Sequence, residues 1–275
     1  MIGQRELKRI IERQLDNKNF PRFSVISGAG EMDKKELVNY IADKLKCTCI
    51  TVDSPKVDEV REIIKDAYIQ RNPTVYALLN FDNVSLQAKN AMLKVTEEPQ
   101  NNAYIIIGVA DKNNLLKTLR SRAAIYQMDH YSSQELQQYI DGKYRFTDDE
   151  NEIVLNVCET PDEVDLLAEK YKILEFYDFV ELVVNNIAEV SGANSFKIAE
   201  KLKIKDSDED KIDLGLFFKC FMVICAKRYK QEKDKRYVEW VKVTSKAFSD
   251  LKNASLNKQM LVDNWILNIR RAWMT

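Results

Sequence analysis

The chain has 275 residues, 45% hydrophobic and 31% charged, so it is globular and long enough for more than one core. Its formal net charge of -1 excludes the overall basic footprint of a stand-alone nucleic-acid binder, so DNA contact must come from a local patch or an assembly. Seven Gly and five Pro point to a mostly helical protein with few flexible linkers.

No apolar stretch approaches the length of a bilayer span. The first residues, MIGQRELKRIIERQLDN, mix charge with apolar residues at helical spacing and lack the apolar run of a secretory leader, so the expected location is the cytoplasm. Within them Leu7, Ile10, Ile11 and Leu15 share one helical face. Cys47, Cys49, Cys158, Cys220 and Cys225 are odd in number and scattered, as reduced thiols are.

Phe23 to Ile26 reads as a strand leading into Ser27-Gly28-Ala29-Gly30-Glu31-Met32-Asp33-Lys34-Lys35. Set against the phosphate-cradling pattern G-x-x-x-x-G-K-[ST], Gly28 and Lys34 fit, but Asp33 replaces the second Gly and Lys35 the hydroxyl residue. A triphosphate would meet a like charge at Asp33 and lose a metal ligand at Lys35. We therefore expect no bound nucleotide, and read the loop as a strand-to-helix turn in which Leu37, Val38, Ile41 and Leu45 form the apolar face.

Cys47 to Val52 is the second strand candidate, with both thiols read as strand residues. Two cysteines one residue apart fall short of the four ligands of a structural zinc site, so no metal is expected. Asp53-Ser54-Pro55 reads as a helix start with Pro at the first helical position, and Val57, Val60, Ile64, Ala67 and Tyr68 as the buried face. Tyr76 to Phe81 and Tyr104 to Val109 are short apolar strands of the doubly buried kind. Between them Ala88, Ala91, Met92 and Val95 make one stripe on a helix capped by Ser85 and stopped by Pro99, completing a βαβ unit.

Leu115 to Leu119 is a short helix ending at Arg120-Ser121-Arg122, and Ile125 to Met128 closes the sheet. Ser132-x-x-Glu135 is a capping box opening a helix from Gln134 to Ile140. His130, the sole histidine, has no nucleophile or metal-ligand set around it, which disfavours triad and zinc-enzyme chemistry. Asp148 to Cys158 and Pro161 to Tyr171 add two helices. From Ile173 onward the chain is helical, with Leu174, Tyr177, Val180, Val184 and Ile187 as a stripe and an acidic loop from Asp206 to Asp213. The helix Leu214 to Tyr229 is strongly apolar. Lys227 to Arg236 is a basic run read as a solvated helix end, with a DNA or partner patch as the sharper reading. Tyr237, Trp240, Val241, Phe248 and Leu251, then Leu261, Trp265, Ile269 and Trp273, furnish two last helices.

Ser85-Leu86-Gln87-Ala88-Lys89-Asn90-Ala91-Met92-Leu93-Lys94 followed by Thr96-Glu97-Glu98-Pro99 resembles the T-P-x-A-x-N-A-L-L-K-x-L-E-E-P stretch of the AAA+ clamp-loader subunits of DNA replication. Leu119-Arg120-Ser121-Arg122-Ala123 resembles the same family's Ser-Arg-Cys motif, with Ala123 in place of Cys, and the run Val57 to Ile64 extends the likeness. Within the family the chain is most similar to the bacterial delta-prime type. The resemblance implies an α/β P-loop-like AAA+ domain at 1–129, a small helical lid at 130–172 and an all-α collar at 173–275.

The resemblance also assigns roles. It places Leu79 and Asn80 where an ATPase carries the Asp that holds Mg²⁺ and the Glu that polarises water; neither residue can do that work. Glu163 falls at the position of an arginine that senses phosphate. Arg122, with Ser121 beside it, matches the arginine finger that reaches the ATP of a neighbouring subunit; the plainer reading is a surface arginine paired with a nearby acid. Asp82 reads as a loop or cap residue. The implied protein is a non-catalytic subunit with no cofactor, working with motor ATPase and delta-type subunits, the sliding clamp and primer-template DNA. A working ATPase with an atypical loop and a helical adaptor on the same fold are the other readings.

Overall fold

The computed structural model describes residues 4–28, 30–187, 212–251 and 257–274. The chain divides into two compact units, Met1–Glu135 and Leu136–Thr275.

In the first unit five parallel strands, β1 (Phe23–Ser27), β2 (Thr48–Asp53), β3 (Thr74–Leu79), β4 (Ala103–Val109) and β5 (Ala124–Gln127), lie in the order β2-β3-β4-β1-β5. Phe23 pairs with Ile105, and Ser24 with Ala124. Successive side chains of β1, β3 and β4 point to opposite faces, and both faces are buried. Phe23, Val25, Tyr76, Leu78, Ile105 and Ile107 join one core, and Ile26, Val75, Ala77 and Ile106 the other. The first core is closed by α3 (Val57–Ile69) and α4 (Leu86–Glu97), the second by α1 (Arg5–Asp16) and α2 (Glu31–Leu45).

The crossover helix α4 buries Ala88, Met92, Val95 and Thr96, and its Ser85 cap accepts the Ala88 N–H at 3.3 Å. α1 buries Leu7 and Ile11 but leaves Ile10 45% exposed, and α3 buries Ile63 while Tyr68 stays 41% exposed, both against expectation. α3 begins at Val57, two residues after Pro55; the Lys56 N–H donates to the Glu59 carboxylate at 2.7 Å and closes the first turn there. α5 (Lys117–Arg120) is a single turn.

α6 (Ser133–Lys143) opens with the expected box: the Ser132 N–H donates to Glu135 at 2.9 Å and the Glu135 N–H to the Ser132 hydroxyl at 3.2 Å. In the second unit α7 (Asp148–Val157) and α8 (Pro161–Asp165) precede a π-helical stretch, Leu166–Tyr171, where the sequence reads as plain helix. Then come α9 (Ile173–Asn186), α10 (Leu214–Glu232), α11 (Arg236–Leu251) and α12 (Lys258–Met274). α9 and its cap bury Val180, Val184 and Ile187 as expected and add Phe176 and Val183, while Leu174 is 46% exposed, so the buried face is wider on the other side than expected. The acidic loop from Asp206 lies mostly outside the described residues.

Phe217, Phe218, Phe221, Trp240 and Trp265 form the aromatic centre of α10–α12, with Trp265 edge-on to Phe221 at 5.0 Å. Both buried indoles have partners: Trp240 Nε1 donates to the Ile269 carbonyl and Trp265 Nε1 to the Thr244 hydroxyl, each at 3.0 Å. Among the described residues no helix is long and apolar enough to cross a membrane.

Candidate functional site

The loop after β1 turns on two glycines, Gly28 at φ 148° and Gly30 at φ 86°. A Cβ on Gly28 would lie 2.6 Å from the Met128 Cβ, so only glycine fits against the end of β5. α2 starts directly after the loop, which aims its first-turn N–H groups and positive dipole end into the turn. Such a terminus takes a phosphate in nucleotide-binding folds. Here Asp33, in the first turn of α2 and 4% exposed, brings its own carboxylate there. Its Oδ2 would lie 3.0 Å from a Cβ on Gly30, and the Tyr131 hydroxyl donates to it.

Lys34 is 2% exposed, its stem against β4, where a Cβ on Gly108 would lie 3.3 Å from the Lys34 Cδ and 2.6 Å from the Leu79 Cδ2. Leu79 therefore fills the strand end with hydrocarbon at the place where the motif aligned above calls for a carboxylate. The neighbouring polar groups converge on Asp53, the last residue of β2. Lys35 Nζ lies 3.3 Å from its Oδ2, and Asn80 Nδ2 donates to its Oδ1 at 2.7 Å. An ammonium and an amide thus occupy the Asp53 carboxylate. Asp82 Oδ2 accepts the Ala110 N–H at 3.2 Å, and Lys89 donates to the Asp82 and Asn114 carbonyls at 2.8 and 3.2 Å. Burial pulls the Lys89 ammonium below its ordinary value, and the Asp82 charge partly offsets this. These are loop-tying contacts.

Arg122 lies at the other end of the sheet. It follows α5 and precedes β5, whose Ala124 pairs with Ser24 while Gln127 pairs with Ser27, the residue before Gly28. The two sites are therefore separated by the length of a strand, about 13 Å for four residues at about 3.3 Å each. Arg122 Nη2 donates to Glu97 Oε1 at 2.7 Å and Nη1 to the Thr118 carbonyl at 2.6 Å, and its side chain is 34% exposed. Ser121 donates to the same Thr118 carbonyl at 3.1 Å, and Arg120 to Asn113 at 2.6 Å. Pro21, Phe23, Thr96, Glu97, Pro99 and Arg122 line an open groove there. Sequence reading singles out Arg122 but misses Glu97 as its partner, although the acid stands within the Thr96-Glu97-Glu98-Pro99 motif.

In the second unit Glu163 is paired with Lys219 of α10, at 2.7 Å, and Glu159 joins at 2.6 Å. Burial would lower the Lys219 pKa, but Glu163 and Glu159 more than offset it and hold the ammonium above its ordinary value. In the basic run Arg228 pairs with Glu181 and Glu232, and Arg236 with Asp234, so two of its six cations are met by nearby acids. His130 is exposed, and among the described residues no cluster of three or more His, Cys, Asp and Glu could hold a metal. All five cysteines are free.

The sequence profile of the family described as DNA polymerase III, delta subunit, matches residues 13–132, which contain the loop, the crossover and Arg122. Over these residues the chain is similar to the DNA polymerase III clamp-loader subunits. A DNA polymerase III subunit gamma from Buchnera aphidicola subsp. Schizaphis graminum is 27% identical over 88 residues, 31% of this chain. The aligned part spans only 24% of that gamma subunit. Among solved structures, a DNA polymerase III gamma subunit-related protein from Thermotoga maritima superposes with a TM-score of 0.55 at 17% identity, covering 98% of both chains. The Thermotoga maritima RuvB Holliday junction branch migration motor does so at 0.53 and 17%, covering 97% of this chain and 87% of its own. At these identities the likeness is one of fold, the AAA+ arrangement of a parallel sheet followed by helices.

Proposed function

We propose that this clamp-loader-type protein is a non-catalytic delta-prime-type subunit that supports ATP-dependent loading of a sliding clamp onto primed DNA. In this reading residues 1–129 are the AAA+-like domain, 130–172 the lid and 173–275 the collar. It assembles with motor ATPase and delta-type subunits, binds no nucleotide itself, and lends Arg122 to the ATP site of an adjacent motor subunit. Ser121 shapes the turn that presents the arginine. DNA and clamp are met through the assembly.

The observation that carries the reading is the position of Arg122. It stands at the opposite end of β5 from the Gly28 loop, beyond the reach of a side chain, so any phosphate it serves belongs to another molecule. The state of the loop supports the other half. A carboxylate from Asp33 occupies the helix terminus, and Leu79, Asn80 and Lys35 replace the groups that would hold Mg²⁺ and activate water. The pairing of Arg122 with Glu97 fits a finger as well as a surface ion pair, so it does not choose between them.

In a loader reconstituted with its motor subunits, Arg122→Ala in this chain leaves ring assembly intact. DNA-stimulated ATP turnover falls by about tenfold or more, a smaller loss than the roughly 10³ to 10⁵ of arginine fingers in GTPases. Unchanged turnover overturns the proposal.

A further inference from the structure

Glu97 is the last residue of α4, and an anion at a helix C-terminus faces the negative end of the dipole. That placement disfavours a glutamate unless a cation answers it, and the cation here is Arg122. The guanidinium is held at two points from two elements: the end of α4 through Glu97, and the first turn of α5 through the Thr118 carbonyl. Two nitrogens are thereby fixed while the side chain keeps about a third of its surface open to the groove bounded by Pro21, Phe23 and Pro99. A free arginine carries about 2 kcal/mol of rotamer entropy, which a phosphate partner would have to overcome. Held this way, the fork is already oriented when an anion arrives.

We propose that Glu97 is the positioning residue for Arg122, fixing the guanidinium so that its open edge receives an anionic phosphate group from a neighbouring subunit. The inference rests on the arginine-finger reading given above. Glu97 touches no phosphate itself. It acts through the arginine, and its value lies in geometry, where misplacement by about 1 Å costs on the order of a hundredfold in rate.

The test compares Glu97→Ala, Glu97→Gln, Arg122→Ala and the double variant Glu97→Ala/Arg122→Ala in the reconstituted loader. DNA-stimulated kcat, the KM for ATP and ring assembly are measured for each. Removing the charge from the helix end relieves the dipole, so the Glu97 variants fold. Glu97→Ala should lower kcat about tenfold with KM and assembly unchanged. Glu97→Gln, which still offers a carbonyl to the guanidinium, should retain most of the rate, and the double variant should be no slower than Arg122→Ala alone. A Glu97→Ala loader that runs at or above the wild-type rate overturns the inference, the faster outcome marking Glu97 as a latch. So does a double variant whose losses multiply. If Arg122→Ala itself is without effect, the finger reading fails and takes this inference with it; if Arg122→Ala is slow and Glu97→Ala normal, only this inference falls.

Discussion

At the scale of single residues, the loop after β1 departs from the phosphate-cradling pattern at positions each with its own chemistry. Asp33 supplies an anion where a phosphate would sit, and Lys35 supplies a cation where a hydroxyl would face magnesium, tied instead to Asp53. The sequence made the first effect legible, because a carboxylate three positions into a helix has few places to point. It could not reveal Tyr131, whose hydroxyl reaches Asp33 from 98 residues away, since nothing local marks such a donor. The double variant Asp33→Gly/Lys35→Thr rebuilds the pattern from Gly28 to residue 35. Titration with a fluorescent ATP analogue and Mg²⁺ should show binding by the variant and none by the parent chain. With Leu79 still in place, the variant should not hydrolyse what it binds. Failure of the variant to bind would mean that more than these two side chains closes the loop.

At the scale of elements, strong periodicity marks a helix, while the exact edge of its buried face depends on what packs against it. The crossover helix α4 was visible from Ala88, Met92 and Val95, because a helix between parallel strands can bury only one stripe. In α1, α3 and α9 most of the expected stripe is buried, but its edge is drawn one residue too wide, so that Ile10, Tyr68 and Leu174 lie exposed. Long-range packing sets that angle, and composition within one helix does not encode it. Thr244 was missed entirely, being a polar residue on an apolar stripe. It is fully buried and accepts the Trp265 indole N–H. Thr244→Val keeps the shape and leaves that donor unmet, so it should destabilise the chain by about 1–3 kcal/mol in a denaturant titration. An unchanged midpoint would show that the indole finds another partner.

At the scale of the whole molecule, the second unit is tied by an ion cluster that no local pattern announces, Lys219 with Glu159 and Glu163. Lys219 has a folded-state pKa raised above the ordinary lysine value of 10.5, despite burial, by the two carboxylates. A raised value means that the stabilisation is present in full below 10.5 and is lost as pH climbs through the folded value. Thermal melts should therefore fall more steeply above that pH for the native chain than for Lys219→Met, whose melting point starts lower. Parallel curves would remove the cluster from the account of stability.

We propose an asymmetry across the sheet: one end closed to nucleotide, the other presenting an arginine to a neighbour. Its most direct test is the DNA-stimulated ATP turnover of a reconstituted loader in which this chain alone carries either Lys34→Met or Arg122→Ala. The account predicts turnover at the parent level for Lys34→Met and at least about tenfold below it for Arg122→Ala. A loader slowed by Lys34→Met and indifferent to Arg122→Ala would contradict it.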